Sequence, residues 1–424
     1  MRRVPRRLHA VASVAAATAS LLVSAVPGAA SAAAYERSEA APGPVGLPVM
    51  PSVLAPGQHC TDASPTQAHA QPWTVRALSL SRVRQLSEGA GVTVAVVDTG
   101  VGADVPAMAG RVTAAGDAGR DCVGHGSFVA GLIAGRADDA TGGGVAPQAR
   151  ILAVRGTDPR GITTPGRVAA AIHTAVDRGA RVIYVAAALT IGRDELTAAV
   201  AYATAKDVLV VAPAVPDAVP ATTGTGTTGT GTTGTTGTGT GGTTGGGAAI
   251  AQPYFPAFIP QVVSVMDFGA DGSRPKDAPP VFNTDLAAPG DAMVSVGPKG
   301  TGHFIGSGSS LAAACVAGTA ALVRAYQPQL TAAEVAKRLV ASAYPAAKPI
   351  LDPYAAVAAV SSTAGSPPRP EGAVRMPDRA SEGPRHRALI IASVGGGLVA
   401  LVAAAAVVIP LGRARRWRPA GRSE

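Results

Sequence analysis

Hydrophobic positions along this chain fall into short runs that alternate between two periods. Compact β-branched and apolar runs at Val92–Val97, Ile151–Val154, Val182–Ala188 and Val208–Val211 predict strands. Between them, apolar residues recur at helical spacing over Ala77–Leu86, Gly166–Arg178 and Leu196–Lys206. Val262–Met266 and Asp285–Val296 read as further sheet, Leu311–Tyr326 and Ala332–Ala343 as closing helices, with a short last helix starting near Ile350. Strands that alternate with helices of this length imply a parallel sheet with helices on both faces, a three-layer α/β domain.

The two ends follow other patterns. Residues 1–32 carry arginines at 2, 3, 6 and 7, an apolar stretch to about Val26, and small residues at Ala30 and Ala32. That layout predicts a secretory signal. Residues 33–72 are rich in Ala, Pro and Gly, with little periodicity, and predict an extended arm ahead of a domain over 73–360. A linker rich in Pro, Ser and Arg follows over 361–387. Residues 388–411 are apolar for long enough to cross a bilayer at about 1.5 Å per residue. A basic tail, 412–424, comes next, which favours the cytoplasmic side. The expectation is a single-pass protein of the cell membrane with its main domain outside the cytoplasm.

Placement also changes the meaning of the net charge of +9. Of 36 basic residues, four lie in the signal and five in the region after the span, leaving 27 against 26 acidic ones. The exported domain is therefore close to neutral, and nucleic acid is not an expected partner. A segment of only Thr and Gly, residues 222–247, has nothing to bury. It predicts a surface insert spanning roughly 28 Å root-mean-square as a flexible coil.

Three segments place chemistry on this scaffold. VAVVDTG sets Asp98 at the end of a buried strand, GHGSFVAG sets His125 between two glycines at a helix start, and GSSLAAA sets Ser310 at the start of another helix. Nucleophile, base and orienting carboxylate are the parts of a Ser–His–Asp site. Their order, Asp98, His125, Ser310, is that of subtilisin. With GVAPQARILAV (144–154) in the expected place, the chain resembles the subtilases, and within them the mycosins, membrane-anchored proteases of type VII secretion systems. The resemblance covers about Trp73 to Val360. It implies a subtilisin-like three-layer domain, a C-terminal transmembrane helix, and catalytic roles for Asp98, His125 and Ser310. It also implies a Cys60–Cys122 disulfide tying the arm near His125, secreted protein substrates, and membrane components of the secretion system as partners. The third cysteine, Cys315, lies among alanines and valines and reads as a buried free thiol. No metal cluster is visible, and the chemistry requires no cofactor; His59, His69, His173 and His303 are scattered and read as structural or solvent-facing.

The chain also departs from the family pattern. Subtilases carry an asparagine after a strand like VVVAAAGN, where its amide donates to the oxyanion. The matching segment here, VLVVAPAVPDAVP (208–220), has none, and Asn283, the one asparagine in the chain, belongs to a different loop. Losing such a donor costs about 10²–10³ in kcat, a magnitude known from subtilisin. Gln252 or a threonine of the insert is a candidate replacement. Tyr184 replaces a polar residue on a strand expected to border the specificity pocket, and Ser309 and Ala314 replace the usual Thr and Pro around the nucleophile. Two functions follow from these features: a slowed serine endopeptidase acting on exported proteins, or a pseudoprotease that serves as a structural part of a secretion complex.

Overall fold

The computed structural model describes residues 46–137, 142–217, 250–276, 278–359 and 383–414. Outside these lie the signal segment, the start of the arm, the Thr/Gly insert, the linker up to 382 and the tail from 415. The chain forms two units, Met1–Ala359 and Val360–Glu424.

In chain order, the first unit contains α1 (Trp73–Ala77), α2 (Leu80–Val83), β1 (Thr93–Asp98), β2 (Val112–Ala114), α3 (His125–Ala134) and β3 (Arg150–Arg155). Then come α4 (Pro165–Asp177), β4 (Val182–Val185), α5 (Arg193–Ala205), β5 (Leu209–Pro213), β6 (Val262–Phe268) and β7 (Leu286–Pro289). The unit ends with β8 (Met293–Val296), β9 (His303–Gly306), α6 (Ser309–Tyr326), α7 (Ala332–Ala341) and α8 (Pro353–Ala358). Seven strands form one sheet in the order β2-β3-β1-β4-β5-β6-β7. Each neighbouring pair in it is parallel.

The period of two along each strand sorts side chains into two cores. Val94, Val96, Tyr184 and Val211 pack with α3 and α6 on one face. Ala95, Val97, Ile183 and Val210 pack with α4 and α5 on the other. Asp98 continues the Val94–Val96 face, so its carboxylate points to the α3 and α6 side. All ten residues of α3 are buried, as is α6 from Ser309 to Arg324. Helices this apolar on every side belong inside a large core, and the α6 window, though long and apolar enough for a span, is 89% buried.

Three expectations need correction. The helix expected over 77–86 is broken into α1 and α2, because Ser79 adopts the left-handed conformation at φ 50°. The strand expected to reach Ala188 ends at Val185. The 285–296 segment is two strands: β7 joins the main sheet, while β8 pairs antiparallel with β9 in a separate hairpin. The turn between them includes Ala292 at φ 49°. The short edge strand β2 was not anticipated; three residues carry no readable period.

The described part of the arm, residues 46–72, contains no helix, and its backbone is tied down at several points. Met50 N–H donates to the Ile305 carbonyl (2.8 Å) and Ile305 N–H to that of Pro48 (3.0 Å), beside β9. Further along, His303 Nδ1 accepts from Ala68 N–H at 2.9 Å, which accounts for this buried histidine. A Cys60–Cys122 disulfide closes the arm onto the loop before His125. In the second unit, α9 (Gly383–Ala414) contains the apolar run 388–411, with Pro410 inside it.

Candidate active site

Asp98, His125 and Ser310 come from β1, α3 and α6 and converge on the α3 and α6 face of the sheet. His125 Nδ1 lies 2.8 Å from Asp98 Oδ2, and its Nε2 lies 3.1 Å from Ser310 Oγ. All three residues are buried, at 6% exposure or less. Close approach of β1 and α3 depends on Gly126: a Cβ there would fall 2.0 Å from the Gly100 carbonyl oxygen and 3.1 Å from Asp98 Cβ. Thr99 N–H donates to Asp98 Oδ1 at 2.7 Å, fixing the carboxylate at the strand end.

Asp121, which sequence reasoning missed, holds the start of α3. It accepts from Gly124 N–H (2.7 Å), Ser127 N–H (2.9 Å), Ser127 Oγ–H (2.7 Å) and Thr99 Oγ1–H (2.9 Å). These donors include free N–H groups of the first helical turn, which need acceptors. Burial pushes the Asp121 carboxyl above the usual aspartate range, against the pull of those hydrogen bonds. The signal available in the sequence was an acidic residue next to Cys122 and four residues ahead of His125, but nothing in the spacing marked it as a cap.

The second missed residue is Asp217. It stands in the loop after β5, and its carboxylate clamps Ser310. Ser310 N–H donates to Asp217 Oδ1 at 2.9 Å and Ser310 Oγ lies 2.5 Å from Oδ2. Asp217 Oδ2 is also 3.6 Å from His125 Nε2. Gly308 makes room for it, since a Cβ at that position would sit 2.0 Å from Asp217 Oδ1. Gln252, by contrast, hydrogen-bonds the Tyr254 hydroxyl and does not line the cleft. Asn283 accepts through its carbonyl from Ser264, also away from the cleft.

Burial disfavours charge on His125, but the Asp98 charge, together with the contacts to Asp217, outweighs it and lifts the imidazole pKa well above the usual value. Tyr184 is corrected from a pocket border to a position beneath Asp98 and Ser310. It is fully buried and paired in register with Val96, two residues before Asp98. Burial, with the Asp98 and Asp217 charges, pushes its phenol well above the usual value, so it stays neutral beside Ser310. Ser309, next to Ser310, hydrogen-bonds the buried Asp267 (2.5 Å), which also pairs with Arg274 at 3.0 Å. A cleft of about 670 Å³ opens beside the site, with His125, Asp217, Ser309, Met50 and Arg274 among its lining.

Residues 89–373 match the family model of the subtilase family. The chain belongs to the subtilases. Within them its relatives are mycosins: Mycosin-4 of Mycobacterium tuberculosis is 31% identical over 88% of this chain and 89% of the relative. Thermitase of Thermoactinomyces vulgaris is 32% identical over 56% of this chain and 76% of its own. Among solved structures, the MycP3 protease from the type VII (ESX-3) secretion system shares 30% identity, covering 74% of this chain and 94% of that one (TM-score 0.55). A chain of the periplasmic assembly from the ESX-5 inner membrane complex shares 25%, covering 74% and 91% (TM-score 0.57). The subtilisin-like fold and the mycosin kinship expected from the sequence are both shown.

Proposed function

We propose that this subtilase is a membrane-anchored serine endopeptidase that cleaves exported proteins in association with a type VII secretion system. The observation that carries the reading is His125 bridging Asp98 at 2.8 Å and Ser310 at 3.1 Å. In this reading Ser310 Oγ attacks the scissile carbonyl while His125 Nε2 takes its proton. Asp98 holds the imidazole through Nδ1 and stabilises the imidazolium that forms, and His125 then returns the proton to the leaving amine. The Ser310 N–H, at the N-terminus of α6, is one donor for the oxyanion. The mycosin relatives and the ESX-5 periplasmic neighbour support the secretion-system association and a domain outside the cytoplasm. The signal pattern of residues 1–32 and the apolar run within α9 support a single-pass anchor.

Asp217 favours a second reading, in which hydrolysis is lost and the domain serves as a structural component of the secretion complex. A carboxylate beside the oxyanion position repels the charge that a working site must stabilise. Covalent labelling of the full chain in detergent with a fluorophosphonate probe separates the two readings. Labelling that Ser310→Ala and His125→Ala both abolish supports the peptidase. No labelling over hours, in folded wild type and in folded Asp217→Asn alike, refutes it and favours the scaffold.

A further inference from the structure

We propose that Asp217 is an internal stopper of the oxyanion hole, so that the resting site is held closed by its own carboxylate. The inference rests on the serine peptidase reading above and concerns how that chemistry is restrained.

In acylation, Ser310 Oγ bonds to the carbonyl carbon, the π electron pair moves onto the carbonyl oxygen, and the hydroxyl proton passes to His125 Nε2. The new oxyanion must accept from Ser310 N–H. Asp217 Oδ1 already accepts that hydrogen at 2.9 Å, and Oδ2 stands 2.5 Å from the nucleophile itself. A carboxylate oxygen therefore takes the hydrogen bond that the transition-state oxygen would take. It also favours the imidazolium form of His125, from 3.6 Å. An anion at the α6 start facing a protonated imidazole is the charge pattern of the tetrahedral intermediate, stabilised here without substrate. Substrate must displace a group that imitates its own transition state, so the binding energy of the hole is spent before reaction begins.

Charges around the pair reinforce this state. From β1, Asp98 faces His125, with Asp121 behind it at the α3 start. From β4, Tyr184 is neutral, so it brings no positive charge to compensate Asp217. The cation lining the nearby cleft, Arg274, is committed to Asp267. Glycine at 308 completes the arrangement, because any side chain there would collide with the stopper. Asp217 is half-buried, at the mouth of the cleft rather than in the core, so replacing it spares the packing of the sheet.

The test compares fluorophosphonate labelling rates of the full chain, wild type, Asp217→Asn and Asp217→Ala, across pH, with equal melting temperatures as the folding check. Asp217→Asn removes the charge and supplies an amide donor, whose worth in such a hole is about 10²-fold in rate; labelling at pH 7 rises by that order. Asp217→Ala frees the Ser310 N–H without adding a donor, and also labels faster than wild type, by a smaller factor. The acid limb, set by His125, moves to lower pH in both variants because one carboxylate facing the imidazole is gone. A structural role for Asp217 would not move this limb downward. Both variants labelling no faster than wild type, with wild type reactive, overturns the stopper and leaves the peptidase reading standing. Absence of labelling in all three proteins overturns both.

Discussion

Replacing both half-cystines that tie the arm down, Cys60→Ala with Cys122→Ala, frees a loop closed across 62 residues. In the chain-entropy model a loop of that length contributes about 4 kcal/mol, by limiting the unfolded ensemble rather than by native contacts. The native contacts survive the change: Thr61 N–H still donates to the residue 122 carbonyl (2.8 Å) and Thr61 Oγ1–H to that of Val123 (2.5 Å). For a domain of this size, about 4 kcal/mol lowers Tm by roughly 6–8 °C. The assay is thermal unfolding of the full chain followed by tryptophan fluorescence. Trp73 reports on the peptidase unit, since it packs on Phe268 with ring centroids 6.0 Å apart. A fall of under about 2 °C would refute the reasoning, because the arm would then restrict the unfolded chain no more with the bond than without it.

Other outcomes follow from the same structure. Cys315 is buried and its thiol is pushed up to about 12, so in the alanine double variant it resists alkylation at pH 8 and reacts only on unfolding; rapid native labelling would contradict its burial. Asp121→Ala leaves the Gly124 and Ser127 N–H groups without their carboxylate and loosens the turn that carries His125. Fluorophosphonate labelling should slow by roughly 10-fold or more, since small misplacements of a base are costly, and an unchanged rate counts against the capping role. Burial raises the Asp207 carboxyl, but the Ala332 N–H and the arginines at 324 and 181 outweigh it and hold its pKa below the usual value. Its stabilising contribution is therefore present above the ordinary aspartate range and fades as pH falls through the depressed value. Asp207→Asn tolerates the left-handed backbone at that position (φ 57°) but leaves the buried Arg324 short of its counter-charge. The expected loss is about 2 kcal/mol at pH 7, below that of a fully buried pair because Asp207 is partly exposed. Urea unfolding at pH 7 with no loss would exclude a stabilising pair.

How much of this was legible in the sequence depends on the length scale of each signal. Strand and helix periods placed β1, β3 to β6 and the helices α4 to α7 within a few residues, and the start of α3 at His125, because burial on both faces of a parallel sheet imprints long apolar runs. The three glycine-flanked motifs pointed to Asp98, His125 and Ser310, since the close packing that brings them together excludes larger neighbours. Two kinds of feature escaped. Single-residue backbone choices, such as Ser79 in the left-handed region, broke a helix that its pattern supported. Side chains that act through hydrogen bonds leave no period: Asp121 and Asp217 are ordinary aspartates in loops until the fold places them. Asp217 was within reach, because an aspartate differs from the missing asparagine by one atom and stands beside the expected slot. Tyr184 was misplaced for a geometric reason, because strand alternation turns it toward the triad face and away from the cleft border.

The most direct test of the central claim is peptide mapping, by mass spectrometry, of the full chain after prolonged exposure to a fluorophosphonate. The account predicts a single phosphonyl adduct on Ser310, absent when His125 is alanine. No adduct, or one on a serine outside the Asp98–His125 arrangement, would contradict it.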